Sequence, residues 1–443
     1  MNDEQTIFAP ASAAGQAGVA VFRISGVGAM QAIARLCEPA TIPEARHATL
    51  CTIKHPETGE PIDRAIVLFF PAPHSFTGED VVEFHTHGGR AVTNAVIEAL
   101  HRLPRFRMAE AGEFTRRAFE NGKMDLTEAE AVADLIHAET EAQRKQALRQ
   151  LDGALGHMYE DWRMRLSRCL AYMEAAIDFS DEELPADMIE KQSAELRLLR
   201  EAISLHLNDN HRGERLREGF SIAILGPPNA GKSSLLNALA RREAAIVSPT
   251  AGTTRDIIEV HLDIGGYPVM LADTAGLRDA GDEIESEGIR RARARAARAD
   301  LTLLVFDGAI WPKKDAATAD LVNDDALIVV NKADLFDHAT MPPDDVLYIS
   351  ARDNIGIDTL LQKLAQEISR RFASGNTPPL TRARHRAALE ECVTHLDRAL
   401  QAQMADLRAE DVRMAMRALG RITGRIDVED LLDIIFRDFC IGK

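Results

Sequence analysis

Apolar and polar positions follow three different rhythms along the chain. Near the start, Gly18–Ile24 (GVAVFRI) is a β-rich run after a small-residue loop and predicts a strand. Arg64–Phe70 and Val81–His85 predict two more, the first preceded by the turn signal Glu57-Thr58-Gly59-Glu60. Gly88-Gly89 interrupts the pattern, and Ala91–Leu103 takes helical spacing. No βαβ alternation is sustained, so residues 1–121 predict a mixed α+β domain, not a dinucleotide-binding unit.

The rhythm changes near residue 123. Thr127 and Glu130 have the spacing of a capping box and predict a helix start. Leu148, Leu151, Leu155, Met158, Trp162, Leu166, Leu170, Met173 and Ile177 then recur at steps of three and four, which predicts one face of a single long helix, the core of a bundle. The run ends at DFSDEELP, and Ile189–Leu207 predicts a second helix. Residues 216–378 hold the third rhythm. Phe220–Leu225, Val269–Ala272, Leu301–Phe306 and Leu327–Val330 are short apolar strands alternating with helices, the pattern of a mostly parallel sheet covered on both faces. Ser374–Pro379 (SGNTPP) breaks the chain. Helical spacing resumes at Leu389, Val393, Leu396, Leu400, Met404 and Leu407, with a further helix through Val428–Phe436. The economical arrangement is one helical domain, 122–215 and 379–443, into which the α/β domain 216–378 is inserted.

Composition narrows the function classes. The chain has 443 residues, 46% of them hydrophobic and 27% charged, with a formal net charge of −17. A protein built to coat nucleic acid leans basic, so RNA contact here is confined to local basic patches. The five cysteines (Cys37, Cys51, Cys169, Cys392, Cys440) are scattered without a CxxC pair, which excludes a disulfide scaffold or zinc ribbon and predicts a reducing compartment. The first residues lack the basic and apolar regions of a signal peptide. The longest apolar run, Ala65–Pro73, is too short to cross a bilayer. A soluble cytoplasmic protein with no membrane partner is expected.

Gly226-Pro227-Pro228-Asn229-Ala230-Gly231-Lys232-Ser233, continued by Ser234, has the P-loop spacing between a predicted strand and an apolar helical run. Backbone N–H groups of such a loop cradle phosphates, Lys232 reaches the β/γ-phosphates, and the Ser233 hydroxyl binds Mg²⁺. Asp273-Thr274-Ala275-Gly276 follows a strand, where Asp273 assists the Mg²⁺ and Gly276 senses the γ-phosphate. Between them, Ser248-Pro249-Thr250-Ala251-Gly252-Thr253-Thr254 supplies a switch threonine, Thr254, for the Mg²⁺ shell. Asn331-Lys332-Ala333-Asp334 ends a strand. The Asp334 carboxylate can accept two N–H bonds from guanine that adenine cannot offer. Ser350-Ala351-Arg352 fits a base-supporting loop. These elements, in order and at this spacing, predict a GTPase; an ATPase is the alternative, and Asp334 counts against it. Leu277 stands where Ras-like GTPases carry a water-orienting Gln, so hydrolysis needs another such group and another positive charge. Asp279, Asp282, Glu283, Glu285 and Glu287 follow, mostly as a solvated loop. His85 and His87 lie two apart on a strand, which fits packing better than a metal site. The chain ends Phe439-Cys440-Ile441-Gly442-Lys443.

These motifs, with Arg23-Ile24-Ser25-Gly26, the GED-x-x-E-x-x-x-HGG run from Gly78 to Gly89 and the terminal CIGK, resemble the MnmE (TrmE) family of tRNA-modifying GTPases over the whole chain. The resemblance implies an N-terminal tetrahydrofolate-binding-like α+β domain, a helical domain and an inserted Ras-like G domain. It implies a homodimer formed through the N-terminal domains. It further implies a heterotetramer or larger complex with the flavoprotein MnmG (GidA), and a carboxymethylaminomethyl-type group installed at C5 of the wobble uridine of tRNA. A 5-formyl-tetrahydrofolate-type ligand would take Arg23, Glu83, Lys123 and Lys443, against the reading of the first three as plain surface charges. K⁺ would replace an arginine finger, held by Asn229, Ser248, Thr250 and Thr253, with Glu285 as the catalytic carboxylate. Cys440 matches the family's terminal cysteine: a nucleophile towards C6 of uridine, or a packed terminal residue that seats Lys443. The alternative class is a GTPase switch that only regulates assembly on RNA. It would need a basic RNA-binding appendage, and no KH-like G-x-x-G setting is present.

Overall fold

A computed structural model describes residues 5–13, 15–178, 188–242, 259–273, 294, 296–313, 315–335, 346–372, 378–426, 429–437 and 439–442. The chain forms two compact units, one of residues 1–133, 150–180 and 405–443, the other of 134–149 and 181–404.

The first unit begins with β1 (Thr6–Pro10), β2 (Ala17–Ser25), α1 (Ala29–Leu36), β3 (Cys37–Glu38), β4 (Thr49–Lys54), β5 (Pro61–Phe70), β6 (Val81–Gly88), α2 (Arg90–His101), β7 (Phe106–Met108) and α3 (Glu113–Glu120). The strands form one seven-stranded sheet in the order β3-β4-β5-β6-β2-β1-β7, antiparallel except for the β1–β7 pair. Alternate residues of the long strands point to one face. Phe22, Ile24, Ile53, Val67, Val82 and Phe84 are buried there with Ile33, Leu36, Val96 and Leu100 of α1 and α2.

Two helical expectations need correction. Thr127 and Glu130 do not cap a helix. They lie buried inside α4 (Leu126–His137). The reciprocal cap is two residues earlier: Asp125 Oδ1 accepts from Glu128 N (2.9 Å) and Glu128 Oε2 accepts from Asp125 N (2.7 Å). The stripe from Leu148 to Ile177 is also not one helix. It is α5 (Glu141–Leu151) and α6 (Ala154–Asp178), separated at Gly153, whose φ of 82° is left-handed and ends the first helix. On α6 the buried face is Leu155, Tyr159, Trp162, Leu166, Cys169, Leu170 and Met173, with Met158 only half-buried.

The second unit continues with α7 (Met188–Leu207), α8 (Arg212–Glu218), β8 (Phe220–Leu225), α9 (Lys232–Arg242), β9 (Glu259–Ile264), β10 (Tyr267–Asp273), β11 (Leu301–Asp307), α10 (Ala316–Ala319), β12 (Ala326–Asn331), β13 (Val346–Tyr348), α11 (Ile357–Phe372) and α12 (Ala383–Gln401). The six-stranded sheet runs β13-β12-β11-β8-β10-β9 and is parallel except for β9. Its strands carry Ile222, Leu303, Val305 and Val329 into one core with Leu235 and Leu239 of α9 and Leu360 and Leu364 of α11. Helix α12 stops at Gln401, so Met404 and Leu407 do not continue its stripe and are exposed instead.

The first unit is completed by α13 (Ala405–Thr423), packed on α6, and α14 (Glu429–Arg437). Leu432, Phe436 and Phe439 bury themselves against Leu126, Ala129 and Ala133 of α4. Among the described residues, no helix is long and apolar enough to cross a membrane.

Candidate functional site

Parallel strands deliver their carboxyl ends to one edge of a sheet, and ligands of such folds sit there. Here β8 delivers the P-loop, β11 delivers Asp307, β12 delivers Asn331 and β13 leads to Ser350. Asp273 ends β10 in register with Ile224 of β8, beside the P-loop strand; only its backbone is described.

The P-loop bends where side chains would not fit. Gly226 has φ 155°, and a Cβ on it would lie 2.2 Å from the Val305 carbonyl oxygen. Gly231 has φ 88°, and its Cβ would lie 2.1 Å from Asn331 Nδ2. Between them Asn229 adopts φ 63°, a left-handed conformation that asparagine tolerates better than most residues, and its side chain is exposed. This is a glycine-lined cradle at the start of α9, where N–H groups without helical partners favour an anion. The Lys232 ammonium donates to the carbonyls of Gly226 and Pro227, each at 2.9 Å, so it lies over the loop. Ser233 and Ser234 lie in the first turn of α9 and are exposed.

Asn331 ties the edge together. Its Nδ2 donates to the Ala230 carbonyl at 2.9 Å, and its Oδ1 accepts from Ala351 N at 3.0 Å. It is 3% exposed, so both bonds are shielded from water. The Ser350 hydroxyl, fully buried, donates to Asp334 Oδ1 at 2.7 Å and accepts from Asp353 N. Asp334 itself is exposed, its carboxylate oriented from below. Lys332 Nζ meets Asp307 Oδ2 at 2.7 Å. Partial burial alone would raise the Asp307 carboxyl, but the bonds from Lys332 and Ala309 outweigh it and hold the group below its ordinary value. Arg352 is exposed beside Ala351.

Asn229, Ala230, Gly231, Lys232, Asn331, Lys332, Asp334, Ser350 and Ala351 thus lie along one edge of the sheet. Ser248, Pro249, Thr250, Ala251, Gly252, Thr253, Thr254, Thr274, Ala275, Gly276, Leu277, Glu285 and Lys443 lie outside the described residues. Asp307 was missed; its signal is an acid ending an apolar strand one strand away from NKAD.

A second polar cluster lies in the first unit. Arg23 of β2 and Glu83 of β6 are register partners, and Arg23 Nε and Nη2 both reach Glu83 Oε1 at 3.0 Å. His85 touches the other carboxylate oxygen at 3.2 Å. The Arg23 guanidinium stands 5.1 Å from the Phe76 ring centre and 5.9 Å from that of Phe114. Lys123 Nζ donates to the Pro73 carbonyl at 3.0 Å, so both cations border the loop of residues 71–80. With side chains only 16% and 14% exposed, Arg23 and Glu83 are not the free surface charges of the plainer reading. The chain's end lies nearby: Ile441 bridges Ala111, and a Cβ on Gly442 would sit 2.2 Å from the carbonyl of Pro10, the end of β1, whose Ala9 pairs with Arg23. Cys440 is exposed while the other four cysteines are buried, which overturns its reading as a packed residue.

The family described as the MnmE helical domain matches residues 126–440, and that described as the GTP-binding protein TrmE N-terminus matches residues 6–123. The tRNA modification GTPase MnmE of Paramagnetospirillum magneticum is 55% identical over 442 residues, covering 99% of this chain and 100% of that protein. The protein of the same name from Parvibaculum lavamentivorans is 56% identical over 444 residues, with 99% and 100% covered. The mitochondrial 5-taurinomethyluridine-[tRNA] synthase subunit GTPB3 of Homo sapiens is 47% identical over 460 residues, covering 99% of this chain and 93% of that one.

Proposed function

The chain belongs to the MnmE (TrmE) family, and from that premise we propose that it is the GTP-hydrolysing component of a complex that modifies the wobble uridine of tRNA at C5. It is a GTPase of tRNA modification. The observation that carries guanine recognition is the Ser350–Asp334 bond at 2.7 Å, which orients a carboxylate at the same edge as the glycine cradle. A carboxylate accepts the paired N–H groups of guanine, and against adenine, once the base has covered it, it is left without them.

Mg²⁺ fits the donor set: a serine hydroxyl, Ser233, in the first turn of α9 and a carboxylate, Asp273, at the end of the neighbouring strand are hard oxygen ligands, with Thr254 as a third. When bound, it neutralises charge on the phosphates. Lys232 binds the same phosphates, and the backbone N–H groups of Asn229 to Ser234 hold them in line for attack by water. K⁺ is assigned to Asn229 with Ser248, Thr250 and Thr253, and water positioning to Glu285.

The first unit takes a reduced folate such as 5-formyl-tetrahydrofolate. Glu83 accepts from the pterin, Arg23 and Lys123 face the glutamate tail and pterin region, and Lys443 belongs to the same site. The residues fit: Arg23 and Glu83 form a half-buried pair flanked by Phe76 and Phe114. The folate-binding-like domain of 1–121, the helical domain of 122–215 and 379–443, and the inserted G domain of 216–378 are part of this proposal, as are homodimerisation, the flavoprotein partner MnmG and a cytoplasmic location. The human relative's name, a synthase subunit, supports action within a complex. Mass spectrometry of nucleosides from tRNA incubated with the chain and its flavoprotein partner tests the reading. Omitting the chain or GTP should abolish the C5 adduct, and an adduct formed equally well without the chain would sink it. Turnover of ATP as fast as GTP would sink the guanine assignment separately.

A further inference from the structure

Asp307 belongs to none of the nucleotide motifs, yet it is the last residue of β11 and stands in register with Asn331 on β12. Both carboxylate oxygens are used: Oδ1 accepts from Ala309 N at 3.0 Å and Oδ2 meets Lys332 Nζ at 2.7 Å. The strand ends are locked together beside it. Gly308 N donates to the Asn331 carbonyl at 2.7 Å, and a Cβ on Gly308 would lie 2.6 Å from that oxygen. Lys332 leaves β12 with a left-handed φ of 64°, which turns its side chain away from the strand's alternation.

An exposed lysine–carboxylate pair contributes little, because the long side chain loses rotamer freedom to make it. This pair differs in two respects. The side chains are only 32% and 18% exposed, and Lys332 lies between two residues already fixed, Asn331 by the P-loop and Asp334 by Ser350. We propose that Asp307 is a positioning residue for guanine recognition: it holds the Lys332 side chain extended along the base site before nucleotide arrives. The proposal rests on the guanine reading above and names a residue that reading lacks. Pre-ordering a flexible side chain raises affinity by removing an ordering cost from the binding step.

Asp307→Asn is the first variant, because asparagine can still accept from Ala309 N and loses only the charge. Titration of the whole protein with fluorescent GDP, GTP and ATP is expected to show guanine nucleotides weakened by about five- to tenfold and ATP unchanged. A structural role alone would not lower that ratio. On a Lys332→Ala background the same substitution is expected to change guanine affinity by less than about twofold, since its effect passes through the lysine. Equal losses on both backgrounds, or no loss on either, overturn the proposal. Should Asp307→Asn fail to fold, as judged by circular dichroism, Asp307→Glu enters the same cycle. Moving the carboxylate by one methylene then has to weaken guanine nucleotides only where Lys332 is present. Wild-type protein that binds ATP as tightly as GTP overturns the guanine reading and this proposal together, and needs no variant to show it.

Discussion

Asn331 donates its side-chain amide to the carbonyl of Ala230 across 101 residues of sequence. One buried side chain thereby holds the phosphate loop to the base-recognition strand, and through Ala351 to the Ser350 loop. Nucleotide affinity in this unit depends on the three segments keeping one relative geometry.

Asn331→Ala removes both bonds and leaves the buried Ala230 carbonyl and the half-buried Ala351 N–H without these partners. Each such group costs about 1–3 kcal/mol. GTP affinity should fall by more than about tenfold, with a thermal midpoint lower by several degrees. Isothermal titration and a thermal melt check this. Unchanged GTP affinity at a lowered midpoint would show that the bridge is structural only.

His206 of α7 supplies an acid limb to stability. Burial pushes its imidazole down to about 4, helped by Arg386, His385 and Arg212 and opposed by Asp209. The unfolded chain takes up the proton near pH 6.5 and the folded chain only near 4. The neutral ring's contribution is therefore complete above about pH 6.5 and lost as pH falls towards 4. His206→Gln, which cannot charge, should shrink the stability lost between pH 7.5 and 5.0 by about 2 kcal/mol, read from urea unfolding. Parallel pH profiles for wild type and variant would contradict this.

Much of the nucleotide site was legible because its motifs are local. Gly226, Gly231 and Lys232 sit within one loop, and the required backbone angles select the residues. The helical region was less legible. A stripe of steps of three and four runs through Asp152-Gly153, because α5 and α6 happen to keep the spacing across their junction. Thr127 and Glu130 have a capping pair's spacing, but Asp125 and Glu128 have the same spacing two residues earlier, and sequence alone does not rank them. β3 and β7, with two and three residues, carry too short an alternation to be seen. The side chains of Asp307 and Lys332 are 25 residues apart in sequence and those of Arg23 and Glu83 are 60 apart, so that each pair makes direct contact shows only in the folded sheet.

Hydrolysis should respond to the monovalent cation. Leu277 cannot orient water, and the exposed Asn229 side chain at the bend of the P-loop offers an amide oxygen where the phosphates of GTP would lie. Positive charge there meets the charge that grows on the bridging oxygen. GTP turnover in KCl should exceed that in NaCl at matched ionic strength, with RbCl close to KCl, and Asn229→Ala should erase the difference. Glu285→Ala should lower kcat and spare GTP affinity. Equal rates in the two salts would refute the potassium assignment and leave the GTPase intact.

Cys440 is placed to react. Phe436 and Phe439 anchor the segment before it, Ile441 bridges Ala111, and Gly442 turns at φ 101° against Pro10, so the thiol is exposed on a chain end held from both sides. The buried thiols are protected: burial pushes Cys37, Cys51 and Cys392 up, away from the reactive thiolate. Brief iodoacetamide treatment of folded protein should alkylate Cys440 alone, and peptide mass spectrometry reads the site. Cys440→Ser removes no buried contact, so GTP turnover and the thermal midpoint should be unchanged. If the thiolate adds to C6 of uridine, tRNA modification disappears in that variant, while Gly442→Ala, which drives a Cβ to 2.2 Å from the Pro10 carbonyl, lowers it by misplacing the same sulfur. Full modification by Cys440→Ser would end the nucleophile assignment and leave the tail's anchoring as its only role.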